Sequence, residues 1–414
     1  MPWYDSYRGL TLSEFLERID QEGLFWVTKR LSGNDTGATG GHQAGFYLPR
    51  WFFEKVFPVI CVKDRLNPRS SFPCFFPDQD LLCSNIQAIY YNNKIAVVDG
   101  VVASGSRNEF RLTNWGGRNS SPVQTQENTG AIAVVAIKME NTAPSGLVWV
   151  CDSVAQENLV ESWIGDEVVP GEVYGKGVSC LPAPAQLEKT LASLIQPEWL
   201  QTFPSGKEIF NAVVGAIPFR ENLSDDATLI KRRKLEASLF HAIERKHVIP
   251  TIRSGFKTVE AFMEIALQVA NRRKSRTGQS LELNLQQIFL DRKLRFETQV
   301  ITENKKKPDF LFPSKADYDN SQFPVTKLHM LAAKTCCKER WRQVLSEANR
   351  IQTKHLFTLQ EGTTESQLCE MYEHGIILVV PKDNIVVFPN KWRNKIYSLS
   401  SFVSEMRTEQ LDLK

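Results

Sequence analysis

Short apolar or alternating runs, the pattern typical of β-strands, dominate roughly the first 175 residues of the chain. Clusters of Gly, Asn and Pro separate these runs, and helical periodicity is confined largely to residues 12–19 and 49–56. The predicted strands cover residues 24–28, 86–91, 95–98, 131–138 and 147–151. Many short strands divided by turn residues predict an all-β domain, a barrel or a sandwich.

Helical and strand-like patterns alternate in the rest of the chain. The predicted helices cover residues 225–248, 257–272, 279–292 and 338–352. The predicted strands cover residues 296–301, 308–312, 328–334, 355–359 and 376–380. This alternation predicts an α/β domain. Between the two patterns, residues 171–185 are rich in Gly, Pro and small side chains, so we predict domains at 1–174 and 191–414 joined by a linker at 175–190.

Composition and hydropathy exclude several classes of protein. The longest apolar runs, residues 131–137 and 375–380, fall far short of the roughly 20 residues that span a bilayer. The N-terminus has no basic segment followed by an apolar core, so we expect no secretory signal, no membrane partner and a cytoplasmic location. The eight cysteines include no Cys-x-x-Cys pair, which argues against a zinc ribbon.

The two halves of the chain carry opposite charge. Residues 1–180 hold 15 Lys and Arg against 20 Asp and Glu, whereas residues 181–414 hold 35 against 27. Net charges of −5 and +8 allow the halves to attract one another and allow the second half to attract a polyanion. An ordinary solvated surface explains the same numbers, so charge alone leaves the partner open.

The sharpest chemical signal is an aspartate and a lysine near the ends of two consecutive predicted strands. Asp309 follows Pro308, and Lys334 ends the next strand. A carboxylate that binds Mg²⁺ and a lysine that stabilises charge suit phosphodiester hydrolysis. The position two before Lys334 is Ala332, where the usual pattern has an acid. Glu347, which we expect on a shared helix face with Arg340 and Gln343, and Glu282, on a preceding helix, are candidate replacements; both also fit a solvated helix face.

Long strings of residues throughout the chain resemble the EcoRII restriction endonucleases. In the second half these strings cover residues 271–282, 306–314, 333–348 and 354–362. In the first half they include residues 29–43 and 127–131, and residues 203–206 extend the likeness between the halves. The resemblance therefore spans nearly the whole chain.

The resemblance implies an N-terminal effector domain with a B-three-like pseudobarrel and a C-terminal restriction-endonuclease-like domain of the PD-(D/E)xK type. It implies a homodimer that cuts 5′-CCWGG before the first C with Mg²⁺, paired with a DNA cytosine methyltransferase that protects the host. It further implies that the effector domain obstructs the catalytic cleft until it binds additional copies of the site. Asp309, Lys334, Glu347 and Glu282 match the catalytic positions, and Asp309 and Glu347 the metal ligands.

The resemblance also assigns residues that read DNA. Lys338, Glu339 and Arg340 match the element that reads C·G steps, and Glu and Arg have the acceptor and donors that cytosine and guanine require. Without that context, these residues fit the charged first turn of a surface helix. Arg107, Glu109 and Arg111 alternate along the effector loop and can project to one face. The relatives carry a basic residue where this chain has Phe110.

Two basic clusters and a glycine-rich run complete the predicted DNA interface. Residues 231–234 and 272–276 can neutralise phosphates, although two solvated helix faces would look the same. Arg233 is the candidate that holds a flipped central base. Ala237 stands where an aromatic partner is expected, so the central-base preference stays open. His42, in the glycine-rich run 34–43, is a candidate DNA contact on an arm; a loop without that role is the alternative.

Three functions are compatible with these observations. The first is the effector-activated restriction endonuclease. The second is a sequence-specific DNA-binding protein with a silent nuclease domain, against which the presence of Asp309, Lys334 and Glu347 argues. The third is a structure-selective repair nuclease, which needs no base-reading residues.

Overall fold

The computed structural model describes residues 3–40, 45–98, 101–102, 104–140, 143–176, 185–338 and 340–411. In the first half the helices and strands are α1 (Leu12–Gln21), β1 (Phe25–Arg30), α2 (Gly33–Thr36), β2 (Phe46–Tyr47), α3 (Arg50–Val56), β3 (Arg69–Phe76), β4 (Leu81–Tyr91), β5 (Val97–Val98), β6 (Val101–Val102), β7 (Glu109–Thr113), β8 (Ile132–Glu140), β9 (Ala143–Val150), α4 (Val154–Ile164) and β10 (Tyr174–Gly175).

In the second half they are α5 (Ala185–Leu194), α6 (Gly206–Ala216), α7 (Asp225–Ser254), α8 (Val259–Asp291), β11 (Glu297–Thr298), β12 (Phe310–Phe312), α9 (Lys315–Asp319), β13 (His329–Lys334), α10 (Trp341–Val344), β14 (Lys354–Thr358), α11 (Glu365–Glu373), β15 (Ile376–Val380), β16 (Tyr397–Ser398) and α12 (Leu399–Leu411).

The N-terminal half is built on an eight-stranded sheet with the order β10-β1-β8-β9-β3-β4-β7-β2. Alternate residues of its strands point to opposite faces, so each face has its own core. Val135 packs with Phe46 and Phe72 in one core, while its neighbour Val134 packs in the other, beneath α1 and α4. This arrangement confirms the prediction of an all-β N-terminal domain.

The C-terminal half is built on a six-stranded sheet with the order β11-β12-β13-β14-β15-β16. Strands β13 to β16 run parallel, and β12 runs antiparallel to β13. Helices α7, α8 and α12 contribute to the core on one face, and α10 and α11 to the core on the other. The α/β prediction is confirmed. Because β13 and β14 are parallel, the residues that follow them emerge at the same edge of the sheet.

Three predicted helices differ from the structure. Residues 257–272 and 279–292 belong to one helix, α8, rather than two. The predicted helix at 338–352 is limited to α10, and Ala348 adopts a left-handed conformation with φ 45°. At the end of α10 the Lys354 ammonium donates to the Val344 and Leu345 carbonyls, which satisfies groups that a longer helix would bond to backbone amides. The argument that Arg340, Gln343 and Glu347 share a helix face is therefore wrong.

The domain boundaries stay a prediction, since part of the proposed linker, 177–184, lies outside the described residues. Tyr174 and Gly175 pair with β1, and α5 begins at Ala185. Within the described ranges, no helix is long and apolar enough to cross a bilayer.

Candidate active site

Asp309 and Lys334 meet at the junction of β12 and β13. Asp309 lies directly before β12, is 7% exposed, and faces the C-terminal end of β13. Its Oδ2 accepts a hydrogen bond from the Ala333 amide at 2.8 Å and lies 3.0 Å from the Lys334 Nζ. The Ala333 amide thus holds the carboxylate next to the Lys334 ammonium at one edge of the sheet.

Glu282 joins this pair through Gln299. The Gln299 amide donates to Asp309 Oδ1 at 3.2 Å and to Glu282 Oε2 at 3.5 Å. Burial raises the pKa of Glu282, the nearby Asp309 charge raises it further, and Lys334 opposes both. Because the charges of Asp309 and Lys334 both affect the pKa of Glu282, the three side chains belong to one electrostatic site.

Glu347 reaches the same site from the turn after α10. Burial raises its pKa, Lys334 lowers it, and Asp309 raises it, so Glu347 lies within the field of both residues. Its Oε2 is buried and has no hydrogen-bond partner among the described residues. A buried carboxylate oxygen without a partner is costly unless it binds something else, such as a cation.

The side chains present fit a Mg²⁺ ion. Mg²⁺ prefers oxygen ligands and is usually held by one or two carboxylates together with water. Asp309 and Glu347 supply carboxylates, and Glu282 lies beside them. Three or more His, Cys, Asp or Glu side chains do not form a ready-made cage within the described part of the chain. Two carboxylates completed by water are therefore the metal site that these residues can form.

The segment that is predicted to read DNA, Cys336 to Arg340 (the reading segment), lies next to acidic side chains of the N-terminal domain. Lys338 and Arg340 line a narrow cavity of about 40 Å³ together with Glu157, Glu161 and Glu167. Arg340 is exposed and Lys338 is half-buried. Glu339 lies outside the described residues. The two predicted readers therefore lie beside carboxylates of the N-terminal half, of which Glu157 and Glu161 pair with Arg30 at 2.7 and 3.0 Å.

The predicted phosphate-binding and base-binding arginines face the same acidic segment, residues 157–172. Arg276 lies 3.8 Å from Asp166. Arg273 donates mainly to Glu244 of α7, at 2.9 and 3.0 Å, and also to the Gly165 carbonyl at 3.5 Å. Burial lowers the pKa of Arg233, and the charges of Glu236 and Glu172 oppose that shift. No Lys or Arg occurs between positions 139 and 175, so every charged Asp, Glu, Lys or Arg side chain in the segment is acidic.

The residues of the effector domain that are predicted to contact DNA lie on β7 or just before it. Glu109 and Arg111 project to one face, since Arg111 Nη2 lies 3.1 Å from Glu109 Oε1. The Arg107 guanidinium lies over the Tyr91 ring, 5.3 Å from its centroid. His42 lies outside the described residues. Three of the four predicted effector residues therefore lie close together, on or next to β7.

Two residues of the site escaped the sequence analysis. Gln299 lies in a stretch predicted as a strand, but the strand ends at Thr298 and Gln299 takes a left-handed conformation with φ 54°. Lys354 begins β14, is 5% exposed, and donates to the Leu345 carbonyl at 2.6 Å. Neither position carries a local signal. The role of Gln299 depends on its contact with Asp309, and the role of Lys354 depends on its contact with the Leu345 carbonyl.

Comparisons with known proteins agree with this architecture. Residues 20–177 match the family described as "Restriction endonuclease EcoRII, N-terminal", and residues 240–403 match "EcoRII C terminal". The chain is 39% identical over 399 residues to the type II restriction enzyme EcoRII of Escherichia coli, covering 95% of this chain and 96% of that protein. It is 25% identical over 131 residues to the type II restriction enzyme SsoII of Shigella sonnei, covering 29% of this chain and 42% of that protein.

Among solved structures, two of Ecl18kI are similar to part of the chain. The structure titled "Metal-depleted Ecl18kI in complex with uncleaved, modified DNA" gives a TM-score of 0.44 at 18% identity, covering 56% of this chain and 87% of the other. The second, with uncleaved DNA, gives a TM-score of 0.42 at 16% identity, covering 56% and 86%.

Both family regions are present in the expected order, and the identity to EcoRII extends over nearly the whole of both proteins. These matches account for the two-domain architecture. The chain belongs to the EcoRII family of type II restriction enzymes, which are site-specific deoxyribonucleases.

Proposed function

We propose that this chain cleaves double-stranded DNA at 5′-CCWGG before the first C, with Mg²⁺ and as a homodimer in the cytoplasm. The observation that carries the catalytic part is the convergence of Asp309, Lys334, Glu282 and Glu347 at one sheet edge. A nearly palindromic site suits a two-fold dimer that presents one nuclease domain to each strand. Restriction at this site requires a DNA cytosine methyltransferase that protects the host, acting without binding the nuclease.

Each catalytic side chain has a distinct task in this proposal. Asp309 and Glu347 hold Mg²⁺, which when bound polarises a phosphoryl oxygen and acidifies water. Lys334 places positive charge beside the scissile phosphate, and Asp309 fixes its ammonium at 3.0 Å. Glu282 adds a third carboxylate, positioned by Gln299.

Autoinhibition is the regulatory part of the proposal. The acidic segment, residues 157–172, faces Lys338, Arg340 and Arg276, positive groups that the DNA backbone and bases would need. Carboxylates and DNA phosphates cannot occupy the same positive surface together. Binding of a further recognition site by Arg107, Glu109 and Arg111 would favour release of the segment and expose the cleft.

A second candidate function is sequence-specific DNA binding with a silent nuclease domain. The observation that favours it is that Lys338 and Arg340 share a small cavity with Glu157, Glu161 and Glu167. The retained Asp309–Lys334 contact and the unpartnered Glu347 oxygen favour the nuclease instead.

Cleavage of two matched plasmids, one with a single CCWGG site and one with several, tests the proposal. With Mg²⁺ we expect rapid cutting of the multi-site plasmid, slow cutting of the single-site plasmid, and sequenced ends that begin at the first C. Equal rates would remove the effector requirement and keep the nuclease. Absence of cutting on these plasmids and on others with different central bases would support the silent-nuclease function.

The buried Lys354 should tune metal affinity through Glu347. Its ammonium holds the Val344 and Leu345 carbonyls, just before the turn that carries Glu347. Residues that orient a metal ligand typically contribute a factor of about ten to a hundred in metal affinity. We therefore expect Lys354→Met to raise the Mg²⁺ concentration for half-maximal cleavage about tenfold.

The control for this prediction is Lys257→Met, which removes an exposed ammonium at the turn between α7 and α8. Calorimetric titration of Ca²⁺ into the protein bound to uncleaved DNA measures affinity without turnover. An unchanged Ca²⁺ affinity and an unchanged Mg²⁺ midpoint in Lys354→Met would show that the turn keeps its conformation without the ammonium.

A further inference from the structure

The Gln360 side chain is hydrogen-bonded to the segment that follows β13. Its side chain is 1% exposed, and its Oε1 accepts hydrogen bonds from the Cys337 amide at 3.0 Å and the Lys338 amide at 3.1 Å. The Cys336 thiol lies 3.0 Å from the same oxygen. One buried oxygen therefore binds three consecutive residues at the start of the reading segment, Cys336 to Arg340.

The Gln360 side chain is itself held in place. Its Nε2 donates to the Gly362 carbonyl at 2.8 Å, and its backbone amide donates to Thr358 Oγ1 at 3.2 Å. Thr358 Oγ1 in turn donates to the Thr335 carbonyl at 3.2 Å. The ends of β13 and β14 are thus joined by a hydrogen bond. The oxygen and the nitrogen of the Gln360 side-chain amide both have partners, which defines the orientation of that amide.

We propose that Gln360 is a positioning residue that determines sequence discrimination by orienting Lys338 and Arg340 for base contact. The inference rests on the proposed function, because it presumes that these residues read DNA. Base-reading side chains must lie within hydrogen-bond geometry of the base edges, so their backbone needs a fixed conformation. The bond to the Lys338 amide fixes the backbone at the first reader.

Loss of the Gln360 oxygen would leave buried amides without an acceptor. Such groups are costly, and the chain avoids the cost by shifting toward water or another acceptor. Cys337 is buried, so its amide has little access to water unless the segment moves. A moved segment changes where Lys338 and Arg340 point, although neither side chain is altered.

The far side of the Gln360 amide packs against the effector domain. A Cβ added at Gly130 would lie 2.9 Å from Gln360 Cδ and 3.0 Å from its Nε2. Gly130 also accepts from Arg30, which binds Glu157 of the acidic segment. Discrimination must therefore be measured on multi-site DNA, where domain docking does not limit the rate.

The test compares Gln360→Met with Gln367→Met in the full-length protein. Methionine fills the volume of glutamine without its strong acceptor. Gln367 is the matched control, because its Oε1 accepts from the Thr364 amide at 3.4 Å in the capping box of α11 and not from an amide of the reading segment. The probes are multi-site plasmids with CCWGG and matched plasmids with one outer C·G pair exchanged for T·A. Both are cut in the presence of a short CCWGG duplex that supplies the effector sites.

We expect Gln360→Met to lower the ratio of kcat/KM on the two plasmids about tenfold, and Gln367→Met to leave it unchanged. Equal ratios in wild type and Gln360→Met would overturn the inference. If the methionine variant does not fold, Gln360→Asn serves instead, since the shortened amide loses reach by about 1.5 Å. A wild type that does not discriminate would contradict the proposed function rather than the role of Gln360.

Discussion

Replacement of Asp309 by Asn should lower DNA cleavage at least about a thousandfold, because the proposed metal loses an anionic ligand. Asn keeps a carbonyl oxygen that can accept from the Ala333 amide, so the fold of the β12–β13 junction should survive. Lys334 would lose the carboxylate that lies 3.0 Å from its ammonium. Binding to a cognate duplex, measured by fluorescence anisotropy with Ca²⁺, should stay within a few-fold of wild type.

The matched control is Asp319→Asn, which removes a 60% exposed carboxylate paired with Lys315 in the same domain. Exposed ion pairs contribute little to stability, so this variant should cleave like wild type. Substantial residual cleavage by Asp309→Asn, with binding intact, would show that the reaction does not depend on this carboxylate.

Substitution of Gly33 by Ala should release the nuclease from its effector domain. The Gly33 amide donates to the Glu361 carbonyl at 2.6 Å, and a Cβ added there would collide with the Val387 carbonyl oxygen. Overpacking a closed interface by a methyl group costs about 1–3 kcal/mol, which corresponds to about five- to 150-fold in the docking equilibrium. Cleavage of a single-site plasmid should therefore rise at least about fivefold.

Gly215→Ala is the control for this prediction, since an added Cβ there meets nothing within 4 Å. The rate on a multi-site plasmid should change little in Gly33→Ala, because that DNA already activates the enzyme. If single-site cleavage stays as slow as in wild type while the protein remains folded, docking at Gly33 does not limit activity.

The sequence predicted the catalytic strands because their signals are local. Asp309 and Lys334 each stand next to a short apolar run, and consecutive strands of a sheet usually lie side by side. The structure brings the two side chains together at 3.0 Å. Their catalytic roles remain predictions, which Asp309→Asn tests.

Glu347 lies near Asp309 and Lys334 as the sequence predicted, but the helical argument behind that prediction was wrong. The sequence indicated a long helix with Glu347 on its inner face, but α10 ends at Val344. Lys354 binds the carbonyls at the end of α10, and Tyr318 accepts from the Arg350 amide at 3.1 Å. The first contact joins residues nine positions apart and the second residues 32 apart, and both involve other elements, so local periodicity could not reveal that they override helix propensity.

The interface between the domains was only partly visible in the sequence. Opposite net charges of −5 and +8 indicated attraction between the halves. Charge totals could not show that residues 157–172 face Arg276 and Lys338. Nor could they show that Gln360 holds the reading segment, because a glutamine after a strand carries no signal of its bonding partners.

The most direct test of effector activation is cleavage of a single-site plasmid in the presence of a short CCWGG duplex added in trans. The account predicts that the duplex accelerates cleavage of the plasmid by wild type and has little further effect on Gly33→Ala. A duplex with an exchanged outer C·G pair should have no effect. Plasmid cleavage by wild type that does not respond to the cognate duplex at any concentration would contradict the account.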